Sequence, residues 1–498
     1  MTETGENFAV AEAANRTPEI KPKAGVSHGV RVMQNTAIVF LSRGLGLLLA
    51  GGASVLLARY LGVVRMGEYG AVYAYIGLFG WLAAWGFNPI VAREAAKRRD
   101  QAASIVFTGV CVSAAFSAVA VIAALALSPL IRMGGRFFPL LAIAAVEILL
   151  LVPFGLPGVI FQVDLKQWYS SGFGLLRQGI WFVIVVALYL TGAPLLYVIL
   201  GRLAVAAVEA GLNWYVGQRF LAGPRRYITP TGRMFIVHGS AIALSTLAYG
   251  VYLRIDQVML HSMVGDRSLG PYVVAVRVAE LFEALPLAFI SSLYPLLCTS
   301  TGDTIRFNRY LDLAYRYMIF AAVGLSVALC VGARPIIHLI YGTQYAGAAP
   351  LIAVLIWSEI GSFFGTVLNT GLLAKNLQNY SPWPPVVGAV INIGLNFYFI
   401  PRWHAMGAAW ATVISYWLCW SLVPAFFGPS RRVFWVGFRP LAGLTAIGLL
   451  VSGAAFLLPV NDWVRVGLAV PSFAVIAWLI RYIQWEDFGF LGASWRGV

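Results

Sequence analysis

Long apolar runs, each followed within a few residues by another, constrain this chain more than any other feature. A bilayer crossing needs about 20 mainly apolar residues in a helix, and such segments are centred near Leu47, Phe79, Ala115, Leu149, Trp181, Ala206, Val251, Leu285, Val323, Ser358, Val390, Ile414, Leu449 and Phe473. No water reaches the hydrocarbon region, so segments of this length must satisfy their backbone groups internally, as helices do. The expectation is an all-α integral membrane protein of about 14 transmembrane helices, with both termini on the same side. With 60% hydrophobic and only 11% charged residues, the chain has too little polar surface for a soluble domain.

A net charge of +15 would, taken alone, suggest nucleic acid as a partner. The basic residues instead fall in short clusters between apolar runs: Arg93, Lys97, Arg98 and Arg99; Arg219, Arg225, Arg226 and Arg233; Arg306, Arg309 and Arg316; Arg431, Arg432 and Arg439. These clusters occupy alternate loops, which is how cytoplasmic loops are marked. They therefore point to topology, with no nucleic-acid partner and both termini cytoplasmic. Residues 1–30 are polar and mixed in charge, with Pro18 and Pro22 and no short apolar core before a cleavage site, so they read as a disordered cytoplasmic tail. The four cysteines, Cys111, Cys298, Cys330 and Cys419, lie in apolar stretches without CxxC spacing, and the histidines show no ligand spacing, so no metal is expected. A Gly-rich Walker loop with its lysine is also missing, which leaves ATP hydrolysis unencoded.

One internal repeat organises the runs. After the first run the chain reads Leu61-Gly62, then Gly67 and Tyr69; after the seventh it reads Val264-Gly265, then Gly270 and Tyr272. Both are apolar-Gly-x4-Gly-x-Tyr at the extracytoplasmic end of a long helix. The glycines suit a turn that needs positive φ, and the tyrosines are expected to anchor the next helix at the membrane interface. Because each copy opens the second helix of a six-helix set, the halves are expected to be related by a pseudo-two-fold axis along the membrane normal. The resulting division is a tail over 1–30, an N-lobe over 31–222, a C-lobe over 223–428 and two further spans with the C-terminal tail over 429–498.

These features resemble the polysaccharide or oligosaccharide (Wzx-like) flippases of the multidrug/oligosaccharidyl-lipid/polysaccharide exporter superfamily. The residues that carry the resemblance are Arg59 to Gly62 with Gly67-Glu68-Tyr69, Trp85 to Asn88 leading to Arg93-Glu94, Arg254-Ile255-Asp256 followed by Gly265 and Gly270-Pro271-Tyr272, and Leu339 to Gly342 with Tyr345 and Ala348. It implies two lobes around a central cavity, alternating access, a lipid-linked oligosaccharide as cargo and a bacterial inner (plasma) membrane location. Polysaccharide polymerase machinery would be a further partner.

Charges within the spans bear on mechanism. Arg43, Arg177, Arg202, Arg254 and Arg277 fall there, as do Glu147, Glu209, Asp256, Glu280, Glu283 and Glu359. Each costs ~2.5–3.5 kcal/mol at the bilayer centre on insertion scales. Their sum exceeds the ~5–15 kcal/mol by which a protein is typically stable, so they must pair, face a hydrated cavity or lie near the interface. Arg254 and Asp256 are two residues apart on a helix and cannot pair with each other. Arg277 and Glu280, at i and i+3, can. Arg202 and Glu209 share a face, and Arg177 lies close enough to a helix end to snorkel to the surface.

Arg43 has no acid at i±3 or i±4, and Arg43 with Arg254 would present one guanidinium from the leading helix of each lobe to the cavity. A guanidinium offers a planar, permanently charged fork suited to phosphate oxygens, which fits the pyrophosphate of a polyprenyl-linked sugar. The candidate substrate-binding residues are Arg43, Arg254, Arg177, Arg277 and Asp256. The candidates for H+ or Na+ coupling are Asp256 and Glu280, with no other cofactor expected. The alternatives are a cation-coupled multidrug exporter of the same superfamily, disfavoured because the deep positions carry arginine, and a membrane glycosyltransferase or polymerase, disfavoured because the loops are short.

Overall fold

A computed structural model of the chain describes residues 28–484 and 487. Nearly all of the tail expected over 1–30 therefore lies outside the described residues. Every described element is helical, as the apolar runs require. In chain order they are α1 (His28–Ala84), α2 (Phe87–Lys97), α3 (Ala102–Leu127), α4 (Phe138–Gly155), α5 (Val159–Val163), α6 (Trp168–Thr191), α7 (Leu195–Arg219) and α8 (Thr229–Met263). They continue with α9 (Asp266–Glu280), α10 (Ala284–Thr299), α11 (Thr304–Tyr341), α12 (Ala348–Leu355), α13 (Ser358–Ala374), α14 (Trp383–Phe426), α15 (Gly428–Leu457) and α16 (Asp462–Leu479).

Ten described helices are long and apolar enough to cross a bilayer, or eleven when Thr229–Ser240 and Ile242–Met263, bent by 47°, count as one span. The fourteen expected runs do not map one to one onto these, for a physical reason. At 1.5 Å per residue, the 57 residues of α1 would extend ~85 Å, far beyond a ~30 Å hydrocarbon core. The chain instead turns at Gly62, with φ 71° and ψ 176°, so two apolar runs share one continuous element. The same happens in α14 at His404 (φ 51°, ψ −129°). The run around Leu285 is divided the other way, between α9 and α10, at residues 281–283.

Side-chain contacts sort the loops into two sides. On one side Arg99 pairs with Asp164, Ser104 Oγ donates to the Pro224 carbonyl over 2.7 Å, and the Arg226 amide donates to Ser104 Oγ. Further along the chain, Arg316 pairs with Asp487 at 3.1 Å, Tyr482 donates to the Arg439 carbonyl, and Lys375 Nζ lies 4.3 Å from the Phe307 ring. Within each of these two groups, the basic loops are joined to one another by side-chain contacts.

The opposite side holds the Gly62 and Gly265 turns, and there the two halves of the chain meet. Gly265 takes φ 106° and ψ 178°, close to Gly62, in a region open essentially to glycine alone. A Cβ on Gly67 would strike the Asp266 backbone, and one on Gly270 would strike the Val63 carbonyl. Each second glycine of the motif therefore packs on the residue that follows the first glycine of the other copy. Gly70 continues the seam one turn along by lying against Val273. The Arg59 side chain closes it, with Nε donating to the Ile340 carbonyl and Nη2 to the Leu339 carbonyl, both over 2.7 Å. Those carbonyls end α11, where a cation meets the negative end of the helix dipole. Tyr345 Oη donates back to the Ala58 carbonyl over 2.8 Å.

Candidate functional site

Directly below this seam lies a cavity of about 260 Å³. Its roof is Leu57, Met66 and Tyr341, all buried, and its walls come from α1, α4, α6, α7 and α9. Three arginines and three glutamates line it: Arg177, Arg202 and Arg277 with Glu147, Glu209 and Glu280.

Helical twist explains how the Gly-x4-Gly-x-Tyr motif feeds this site. Two residues on a helix are about 200° apart, so when Gly67 faces the seam Tyr69 must point back into its own half. Tyr69 is 4% exposed and its hydroxyl accepts from Arg202 Nη1 at 3.1 Å. In the other copy Tyr272 is fully buried and its hydroxyl donates to Asp256 Oδ2. The expectation that these tyrosines sit at the membrane interface is therefore corrected. Both are interior groups that hold a charged partner.

Arg202 is the hub of the first half. Its Nη2 lies 3.6 Å from Glu147 Oε2, its guanidinium stacks 4.2 Å from the Tyr73 ring centre and 5.7 Å from that of Trp181, and Tyr73 donates to Glu147 Oε1 over 2.6 Å. Arg202 does not pair with Glu209, despite sharing a helix face with it; Glu209 faces Arg177 at 3.7 Å. Arg177, which could have snorkelled to the surface, is thereby held in the cavity wall. In the second half Glu280 accepts two guanidiniums, Arg254 Nη1 at 2.7 Å and Arg277 Nη1 at 3.0 Å. Each lining glutamate is thus matched by an arginine, and Glu280 by two. A guanidinium has five donors, more than these contacts occupy, so Arg177, Arg202 and Arg277 keep donors for a ligand in the cavity.

Of the residues expected at the site, Arg177 and Arg277 line the cavity. Arg254 stands behind the wall, linked to it through Glu280. Arg43 lies on α1, but its side chain falls outside the described structure. Asp256 is placed elsewhere. It is 4% exposed inside the second half, where its carboxylate accepts from the Gln257 amide at 2.7 Å, from Tyr272 and from Thr412 Oγ1 at 3.4 Å. Around it Asn392 Nδ2 reaches Thr412 Oγ1 and Ser415 Oγ, and Asn396 Nδ2 donates to Asn392 Oδ1 over 2.8 Å. The Asn396 Oδ1 atom is buried without a hydrogen-bond partner. This is a polar network joined to one carboxylate through the Tyr272 and Thr412 hydroxyls, contributed by α8, α9 and α14.

Sequence reasoning did not single out Glu147 and Arg202 as site residues. Their pairing joins α4 to α7, and no spacing within one helix signals it. Arg59 was visible only as a motif residue; its partners are backbone carbonyls nearly three hundred positions away, which leave no side-chain signature.

A family model described as "Polysaccharide biosynthesis protein" matches residues 56–350. The probable flippase AglR of Haloferax volcanii is 24% identical over 261 residues, which is 51% of this chain and 53% of that relative. This chain thus spans about half the length of the curated relative it matches. Among solved structures, the lipid II flippase MurJ in an inward closed conformation superposes with a TM-score of 0.70 at 14% identity, covering 90% of this chain and 98% of that one. A multidrug resistance MATE family transporter of the MOP superfamily, in an inward-facing conformation, gives 0.64 at 13% identity, covering 82% and 99%. At such identities the likeness is one of fold.

Proposed function

The chain belongs to the polysaccharide biosynthesis protein family, and from that premise we propose that it moves a polyprenyl-pyrophosphate-linked oligosaccharide from the cytoplasmic to the outer leaflet. The halves 31–222 and 223–428 act as the two lobes, 429–498 adds the two last spans, and the cavity between the lobes is exposed to each side in turn. The arginine-rich loops are cytoplasmic, as are both termini, in a bacterial inner membrane. The closed seam is then extracytoplasmic, and the cavity below it receives cargo from the cytoplasm.

The observation that carries this reading is the trio Arg177, Arg202 and Arg277 in one cavity, each tied to a carboxylate yet retaining donors. A pyrophosphate group can take those donors bidentately while the polyprenyl tail stays in the bilayer. Drug exporters of the same fold class would need free carboxylates for cationic cargo, and here the lining glutamates are committed to arginines. Coupling is assigned to Asp256, whose surrounding oxygens suit a small hard cation, with Glu280 as the link between coupling and cargo. Polymerase machinery would take up the exported product.

Reconstitution in proteoliposomes tests the reading. Translocation of a labelled lipid-linked oligosaccharide should fall at least tenfold in Arg277→Ala and Arg177→Ala at equal protein incorporation. Unimpaired translocation in both variants, or efflux of cationic dyes in place of lipid-linked sugar, would overturn it.

A further inference from the structure

We propose that Glu359 is a proton-binding site within the second half, separate from the cavity and from Asp256. The site is built by a break in the membrane helix. α12 stops at Leu355 and α13 starts at Ser358, and the two carbonyls freed between them are occupied: Ser326 Oγ donates to that of Ile356 and Trp417 Nε1 to that of Trp357, both over 3.1 Å. The break sets Glu359 in the first turn of α13, facing inward.

Glu359 is 5% exposed, its Oε2 atom is buried without a hydrogen-bond partner, and among the described residues no arginine, lysine or histidine lies within ion-pair distance of it. The charged groups within electrostatic reach are Glu283 and Glu280, both of the same sign. Tyr249 on α8 and Tyr416 on α14 are the titratable groups that face it from the other packed helices. Glu283 sits at the second break of this half, between α9 and α10, and α10 packs on α13. Arg254 is committed to Glu280.

An ionised carboxylate without a partner in such a place carries a desolvation cost that no neighbour offsets. A bound proton removes it. A metal cation would require several converging oxygen ligands, and no hydrogen bond among the described residues brings an oxygen to the Glu359 carboxylate. The two interrupted helices also give the proton a route. Of the two carboxylates within electrostatic reach of Glu359, Glu280 lines the cavity, so a proton released from Glu359 has acidic groups on the cavity side to receive it. The inference does not depend on the cargo, because the site and its readout need none.

Infrared difference spectra of the full chain in lipid test it. At neutral pH the wild type should show a protonated-carboxyl C=O stretch that is absent in Glu359→Gln, retained in Glu283→Gln and displaced in Glu359→Asp. Exchanging K+ for Na+ at constant pH should leave the band in place. If Glu359→Gln does not fold, the wild type and Glu359→Asp decide. A band identical in both, no protonated-carboxyl band in the wild type, or a band lost on adding Na+ would each overturn the proposal.

Discussion

The α-carbon of Gly67 rests against the backbone of Asp266, with no room for a side chain between them. Gly270 stands in the same relation to Val63, so one contact occurs twice across the seam, each half contributing one close-packed glycine and one backbone surface. Repeats in the same orientation can meet this way only about a two-fold axis, where each presents the same patch to the other.

Gly67→Ala and Gly270→Ala should each destabilise the seam. Glycine to alanine in a helix ordinarily gains a few tenths of a kcal/mol to ~1 kcal/mol, but here the methyl meets backbone, and overpacking of this kind costs ~1–3 kcal/mol. Once one substitution has spread the seam, the second should cost less, so the double variant should lose less than the sum. Thermal unfolding in detergent reads all three, with Gly80→Ala, whose Cβ meets nothing within 4 Å, as the control.

Arg59→Ala should favour opening on the seam side. It removes two charge-assisted hydrogen bonds to the carbonyls of Leu339 and Ile340, and Arg59→Lys, a point donor without the fork, should restore only part of the effect. Ser54 lines the cavity below. In a cysteine-free background, Ser54→Cys should react several-fold faster with an impermeant thiol reagent added outside when Arg59 is alanine, with lysine intermediate.

Arg202→Gln should be costlier than Arg202→Gln combined with Glu147→Gln. Alone, it leaves the buried Glu147 carboxylate with only Tyr73 as a donor, and stranding a buried charge costs up to about 3 kcal/mol, reduced here because Arg202 is one-third exposed to the cavity. Neutralising both removes the stranded charge. Melting temperatures should therefore recover in the double variant, whereas translocation should stay impaired because the arginine is still missing.

Asp256→Asn should abolish dependence of transport on a cation gradient while leaving Arg254–Glu280 and the cavity intact, since Asp256 touches neither. Proteoliposomes with imposed Na+ or H+ gradients measure this. A variant that still responds to the gradient as the wild type does would remove Asp256 from coupling.

Much of this molecule is legible in the chain. The apolar runs announce a bundle of membrane helices, the Gly-x4-Gly-x-Tyr repeat locates both turns of the seam, and Arg277 with Glu280 pairs as its i, i+3 spacing requires. The position of Tyr69 was misread because interface tyrosines are common, whereas its inward direction follows only once Gly67 is known to face the other half. Asp256 was grouped with the cavity because depth in a span can be read from sequence and azimuth cannot.

Periodicity, apolar length and glycine spacing are local quantities, so the sequence by itself determined the helical class, the alternation of basic loops and where the chain turns back. Pairing of charges across helices is not local. Which of several arginines meets which glutamate depends on the rotation of each helix about its axis, set by how glycines and bulky side chains pack at the seam. The tertiary structure alone therefore decided that Arg202 holds Glu147, that Arg254 and Arg277 share Glu280, and that Glu359 has no counter-charge among the described residues.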